Sequence, residues 1–129
     1  MANSFATRPW SLRMPAGSLG EWVFGFTTTA PGGTTPYTIT GATWEYVART
    51  SATDVSTPLI DITTTATIQG VLTVTATATL SQVQLTLSPV ATATLTPGTY
   101  YHAFWMNPGT TGAFCWLSGQ LFIDGNPQP

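Results

Sequence analysis

The chain holds one histidine, His102, and one cysteine, Cys115. Nucleophilic catalysis needs a nucleophile, a base to activate it and a group to orient the base. His102 stands inside an aromatic run, residues 99–106, where a hydrogen-bonded structural histidine is the expected role. Cys115 lies on the next strand-like segment, so a Cys–His pair is geometrically open. No helix N-terminus or cation stands beside it to favour the thiolate, and it reads as a small buried hydrophobe. The acids are Glu21, Glu45, Asp54, Asp61 and Asp124, and no spacing singles out a pair for glycoside hydrolysis. One His and one Cys cannot close a zinc site. No Gly-rich phosphate loop is present. The expectation is no catalytic residue, no metal, no cofactor and no enzymatic activity. Sugars stack on exposed Trp and Tyr, which leaves binding open. Yet Trp22, Trp44, Trp105 and Trp116 fall in strand-like segments, where burial is the expected fate, and only Trp10 lies outside one.

The segment that would position His102 and Cys115 is residues 95–123. Pro97-Gly98 marks a turn, residues 99–106 a strand, and residues 107–112, Asn-Pro-Gly-Thr-Thr-Gly, a second turn. Residues 114–123 return as a strand with Gly119 at an expected bulge or bend. Two strands so joined predict a hairpin.

The preceding chain reads as sheet. Residues 21–29 alternate, with Trp22, Phe24 and Phe26 on one face. Residues 30–36 read as a loop. Residues 37–50 are strand-like and broken at Gly41, residues 51–58 are a polar loop, and residues 59–62 a short strand. A further strand is expected around residues 66–69. Residues 71–79 set Leu72, Val74, Ala76 and Ala78 against four threonines, and Val83, Leu85 and Leu87 repeat the alternation. One helical turn is expected over residues 89–95, with Ser88 as cap and Pro89 in the first position. Short strands separated by Gly/Pro-rich turns predict an all-β, antiparallel β-sandwich or barrel. The organisation is an extended N-terminal arm (1–20), a sandwich domain (21–124) and a short tail (125–129). Tyr101, Ala103 and Trp105 alternate with Tyr100, Phe104 and Met106, so this strand is apolar on both faces. The second face calls for cover by the arm or by another subunit.

A chain of 129 residues is one domain by size. Charged residues are 6% of it, against about a quarter in ordinary globular proteins, and there is no Lys. A net charge of −2 gives no footprint for nucleic acid and no basic patch for a membrane. So little charge fits either a Thr-covered, weakly soluble monomer or a protein that works packed into a larger assembly, and the second is the expectation. A lone cysteine excludes an intrachain disulfide. No segment approaches the ~18 apolar residues of a membrane span, and residues 1–20 lack a signal-peptide pattern.

Several pieces stand in a recognisable order: Ile39-Thr40-Gly41-Ala42-Thr43, Leu59-Ile60-Asp61-Ile62, Val83-Gln84-Leu85-Thr86-Leu87-Ser88-Pro89, Leu95-Thr96-Pro97-Gly98-Thr99-Tyr100 and Leu117-Ser118-Gly119. Through them the chain resembles the small β-sandwich virion proteins of tailed bacteriophages, the group that includes baseplate upper-protein N-terminal domains. The resemblance implies an immunoglobulin-like sandwich and a non-enzymatic virion component, assembled in the host cytoplasm. Tail members of that group continue into a coiled or fibre segment, which this sequence does not show. The expectation is therefore a capsid decoration, or cement, protein. A tail or baseplate accessory is the alternative, and a carbohydrate-binding module aiding host attachment the third reading.

The expected partners are other virion proteins, either major capsid or tail proteins, and copies of the chain itself. A homo-oligomer, a trimer by analogy with decoration proteins, would bury the doubly apolar strands. The arm is expected to pin the protein to a neighbour through Phe5, Trp10, Leu12 and Met14, with Arg8 and Arg13 pairing acids of the recipient.

Overall fold

Alternating apolar residues with few helix formers leave extended structure as the economical choice, and the described regular structure is almost all strand. A computed structural model of the protein describes residues 7–30 and 33–125, and for 28–30 and 33–36 the backbone alone. In chain order the strands are β1 (Arg8–Pro9), β2 (Leu12–Pro15), β3 (Gly20–Gly25), β4 (Thr27–Ala30), β5 (Gly33–Pro36), β6 (Trp44–Arg49), β7 (Ile60–Thr63), β8 (Gly70–Ala76) and β9 (Ser81–Leu87). A short helix α1 (Pro89–Ala93) precedes β10 (Gly98–Met106) and β11 (Phe114–Asp124).

Two sheets pack face to face. One runs β1-β11-β10-β6-β7, with β2 on the same edge of β11 as β1; the other runs β3-β9-β8. Between them lie Tyr46, Ile60, Ile62, Phe104 and Leu121 from the first sheet and Leu72, Val83, Leu85 and Leu87 from the second, all essentially without solvent contact. Each such side chain contributes about 1.5–3 kcal/mol on burial. The expected all-β sandwich is the fold.

Several local expectations need correction. The strand expected over residues 21–29 is split into β3 and β4, and the loop expected at 30–36 holds the last residue of β4 and all of β5, the two pairing antiparallel from Thr27↔Pro36 to Ala30↔Gly33. The strand expected at 66–69 reduces to an isolated Thr67↔Gly70 bridge. β8 stops at Ala76, because the Thr77 hydroxyl accepts from the amides of Thr79 and Leu80 and draws the backbone into a turn. Ser88 stands at the N-cap of α1 with Pro89 behind it, but its hydroxyl donates to the Ile68 carbonyl and makes no cap bond.

The hairpin of β10 and β11 is present, with its irregularity elsewhere than expected. The register shifts between Phe104 and Trp105, opposite Leu117 and Cys115, while Gly119 pairs regularly with His102. The connecting turn uses Asn107 (φ 52°) and Gly109 (φ 75°). It is tied to Thr43 by reciprocal bonds: the Asn107 amide donates to the Thr43 carbonyl (2.7 Å), and the Thr43 amide donates to Asn107 Oδ1 (2.9 Å).

The arm extends the first sheet at its edge. Arg8 and Pro9 run parallel to Leu117 and Ser118, and Leu12–Pro15 continue parallel to Leu121–Asp124. Among the described residues it leaves the outer face of β10 and β6 uncovered by strand. Residues 126–129 of the expected tail lie outside the described residues.

Candidate functional site

Between β1 and β2 the arm turns Trp10 inward. Its amide donates to the Ser118 carbonyl (2.8 Å), and its carbonyl passes over Gly119. The indole stacks on His102 at 4.2 Å between ring centroids, and meets Phe24, Tyr46 and Trp22 edge-on at 5.2, 5.8 and 6.4 Å. One arm residue thus contacts both sheets. His102 is fully buried, with Nε2 at 2.7 Å from the Trp10 carbonyl and Nδ1 at 2.9 Å from the Tyr46 hydroxyl. A carbonyl only accepts, so the network assigns the proton to Nε2, and the Tyr46 hydroxyl donates to Nδ1. Burial pushes the His102 pKa below its ordinary value, partly offset by the bond to Trp10. Burial likewise holds the Tyr46 hydroxyl well above its usual range. His102 is a neutral structural latch for the arm.

No Cys–His pair forms. Cys115 pairs in register with Trp105, whereas His102 pairs with Gly119. The Cys115 thiol donates to the Leu117 carbonyl at 3.3 Å, and burial pushes its pKa up.

The outer face of the first sheet carries the polar chemistry. On β6 and β10, Tyr46 and Phe104 point to the core, so Glu45, Val47 and Arg49 and Tyr101, Ala103 and Trp105 point away from it. The small residues Val47 and Ala103 form the floor of a depression of about 320 Å³, walled by Glu45, Arg49, Tyr101 and Trp105 and closed at one end by the Pro108–Gly109 turn. The antiparallel register of β6 and β7 brings Asp61 beside Glu45. The two carboxyls hydrogen-bond, and this contact, with burial and the charge of Asp61, raises the Glu45 pKa from 4.5 to about 7 against the opposing pull of Arg49. Sequence spacing singled out no acid pair; the structure supplies one. Among the described residues no third His, Cys, Asp or Glu joins it in a metal-sized group.

Trp10 lies outside a strand, as read, yet it is in the core network, and Trp22, Trp44 and Trp116 pack on the core as expected. Trp105, read as buried, faces outward and is partly exposed, with no ring stacked on it among the described residues. A second, wider groove of about 600 Å³ lies between the arm at Thr7–Pro9, β3 and Trp116.

The arm residues expected to hold a partner are largely used within the chain. Met14 is buried, and Trp10 and Leu12 pack against the core. Arg13 pairs with Asp124 of its own chain at 2.7 Å and lies over the Phe122 ring at 5.0 Å. Arg8 is exposed. Phe5 lies outside the described residues.

Among the described residues seven large apolar side chains are exposed; Val23 lies within β3 and Leu80 before β9, and the other five lie in the loops and short helix at one end of the sandwich. Leu19 precedes β3, Val55 and Leu59 lie between β6 and β7, Ile68 precedes β8, and Val90 is on α1. Gln69 joins these loops: its side chain bonds Leu59 and Asp61 and its carbonyl accepts from the Ser88 amide. Gly17 is bound to Thr92 of α1. Val55 is 96% and Ile68 77% exposed. Compared with known protein families and with curated proteins, the chain has no match.

Proposed function

We propose that the protein is a non-enzymatic structural component of a tailed-bacteriophage virion, a decoration or cement protein on the head shell, built on an immunoglobulin-like sandwich. The strand orders support the second half of that reading. β3-β9-β8 and β11-β10-β6 follow the B-E-D and G-F-C orders of immunoglobulin sheets, with β7 added beside β6. Tyr100, early in β10, donates its hydroxyl to the Thr96 carbonyl at 2.6 Å, the contact of a tyrosine corner. Trp44 lies buried on β6, where these folds keep a tryptophan. Two residues after Tyr100, where antibody domains carry a disulfide cysteine, this chain has His102 joined to Trp10.

The observation that carries the functional half is the apolar end formed by Leu19, Val55, Leu59, Ile68 and Val90. A freely diffusing chain with eight acidic and basic residues in all has little charge to keep such an end wet. Seating it on a shell protein removes it from water, and each bound copy adds contacts that must break before shell subunits separate. Self-association, as a trimer, buries further surface on the same reasoning. Trp10, Leu12 and Met14 of the arm pack on the chain's own core, so the seat on the shell is assigned to the apolar end.

The test is cryo-electron microscopy of the virion encoded by the same genome, with wild type and the double variant Val55→Asp, Ile68→Asp. Both sites are exposed, so the variant folds. Repeated copies on the head shell, lost in the variant, are expected. Density on the tail or baseplate would replace the decoration reading with the accessory one, and a protein absent from the virion would end both.

A further inference from the structure

Four of the five tryptophans are spent on the core; Trp105 is not. It stands at the wall of a depression whose floor is kept low by Val47 and Ala103, the smallest outward residues of β6 and β10. We propose that this depression binds a short saccharide, one ring face lying on Trp105 and the hydroxyls bonded by Glu45 and Arg49.

The chemistry of the walls fits that class of ligand. A pyranose presents an apolar C–H face and a rim of hydroxyls, each both donor and acceptor. An indole offers the flat apolar surface, and Tyr101 stands four residues away on the same face of β10, beyond Ala103. The rim needs donors and acceptors together. Arg49 gives one N–H to the Ser56 carbonyl, which fixes the side chain, and a guanidinium has five donors, so others are free. The hydrogen bond to Asp61 raises the Glu45 pKa to about 7, so near neutral pH Glu45 offers an O–H or acceptor lone pairs. A cavity of about 320 Å³ lies at the small end of ligand sites, which run from about 300 to 1,000 Å³. The Asn107 turn, tied to Thr43, and the loop at Ala52 hold the two ends of the depression in place. A cationic ligand fits less well, because Arg49 lies on the same wall as the acid pair. The site stands independently of where the protein is assembled.

The experiment is a two-dimensional NMR titration of the isotope-labelled full chain, read at the tryptophan indole N–H signals. Trp105 is assigned by the signal lost in Trp105→Phe. The probes are maltose, cellobiose, N,N′-diacetylchitobiose and sialyllactose, each to about 10 mM, which reaches millimolar affinities. Choline chloride serves as the cation probe. At least one saccharide is expected to move the Trp105 signal while Trp10, Trp22 and Trp44 stay fixed. Trp105→Ala, followed at the backbone amides of residues 45–49 and 101–105 in the same spectra, should weaken that binding by about tenfold or more, with an unchanged melting temperature. Glu45→Gln should weaken it less, since the amide still donates and accepts. No movement with any of the four sugars overturns the proposal. So does binding that survives Trp105→Ala, and a response to choline alone assigns the site to a cation.

Discussion

Replacing Gly119 by Ala should release the arm. A Cβ at this position would lie 2.2 Å from the Trp10 carbonyl oxygen, 2.8 Å from its carbonyl carbon and 3.1 Å from its nitrogen. These are backbone atoms, so no rotamer change relieves the clash, and β1 and β2 must move away from β11. Overpacking alone costs about 1–3 kcal/mol. Moving the arm also breaks the Trp10 amide bond to Ser118 and the His102 bond to the Trp10 carbonyl, each worth about 1 kcal/mol net. It leaves a buried imidazole N–H without an acceptor, at about 1–3 kcal/mol. These costs overlap, and the loss expected is about 3 kcal/mol or more. Urea unfolding measures it, and trypsin locates it. The chain has no Lys, and of its three Arg, Arg8 is followed by Pro9, which blocks cleavage. Cutting after Arg13 therefore reports the arm, and cutting after Arg49 reports the sandwich. Gly119→Ala should speed the Arg13 cut far more than the Arg49 cut. Gly112→Ala is the control, because its Cβ meets nothing closer than the Thr110 hydroxyl at 3.8 Å. An unchanged urea midpoint with Arg13 still protected would refute the account of the arm.

Three further outcomes are expected. His102 is held below its ordinary pKa of 6.5, so below pH 6.5 the unfolded chain takes up the proton first. Stability should be full above that pH and fall as pH drops, by up to about 1.4 kcal/mol per pH unit until the folded-state pKa is reached; His102→Gln should remove that slope in urea midpoints. Glu45 has the opposite sign: its pKa is raised from 4.5 to about 7, so the folded state gains stability as pH falls from 7 to 4.5 and loses it as pH rises through 7. Glu45→Gln should flatten that part of the profile, and an unchanged profile would mean the acid pair is apart in solution. Tyr100→Phe deletes the bond to the Thr96 carbonyl and should cost about 1 kcal/mol by thermal denaturation, with no change in fold.

The strands facing the second sheet were the easy part of the sequence. Val83, Leu85 and Leu87 alternate with polar residues, and all three are fully buried. On β10 the alternation gave no answer, because both faces are apolar. What decides the matter is register: Phe104 and His102 lie opposite Tyr46 and Ala48, and those four point inward together. Register also makes the Glu45–Asp61 contact, and no spacing along one chain encodes the offset between two strands. The arm did carry a legible signal. Pro9 and Pro15 cannot donate to a ladder, which restricts them to an edge strand, and the arm is one. Gly119 was noticed for the wrong reason. It is needed where another backbone crosses close by, a fact written in residue 10 and not in its own neighbours.

The pairing of β1 and β2 with β11 sets an order of events during synthesis. Thr7 bonds the Cys115 carbonyl across 108 positions, and Arg13 reaches Asp124 across 111. A ribosome delivers the arm long before it delivers the strand that receives it. Until β11 emerges, Trp10 has no acceptor for its amide and no strand beside it to hold its ring against His102. Every other neighbour pair in the two sheets is antiparallel and can form once its own strands are out. Long loops close slowly, so docking of the arm falls among the last steps of folding. A nascent chain stalled before residue 115 would hold a partial sandwich with its first tryptophan still in water, and that interval is when a chaperone has the most to grip.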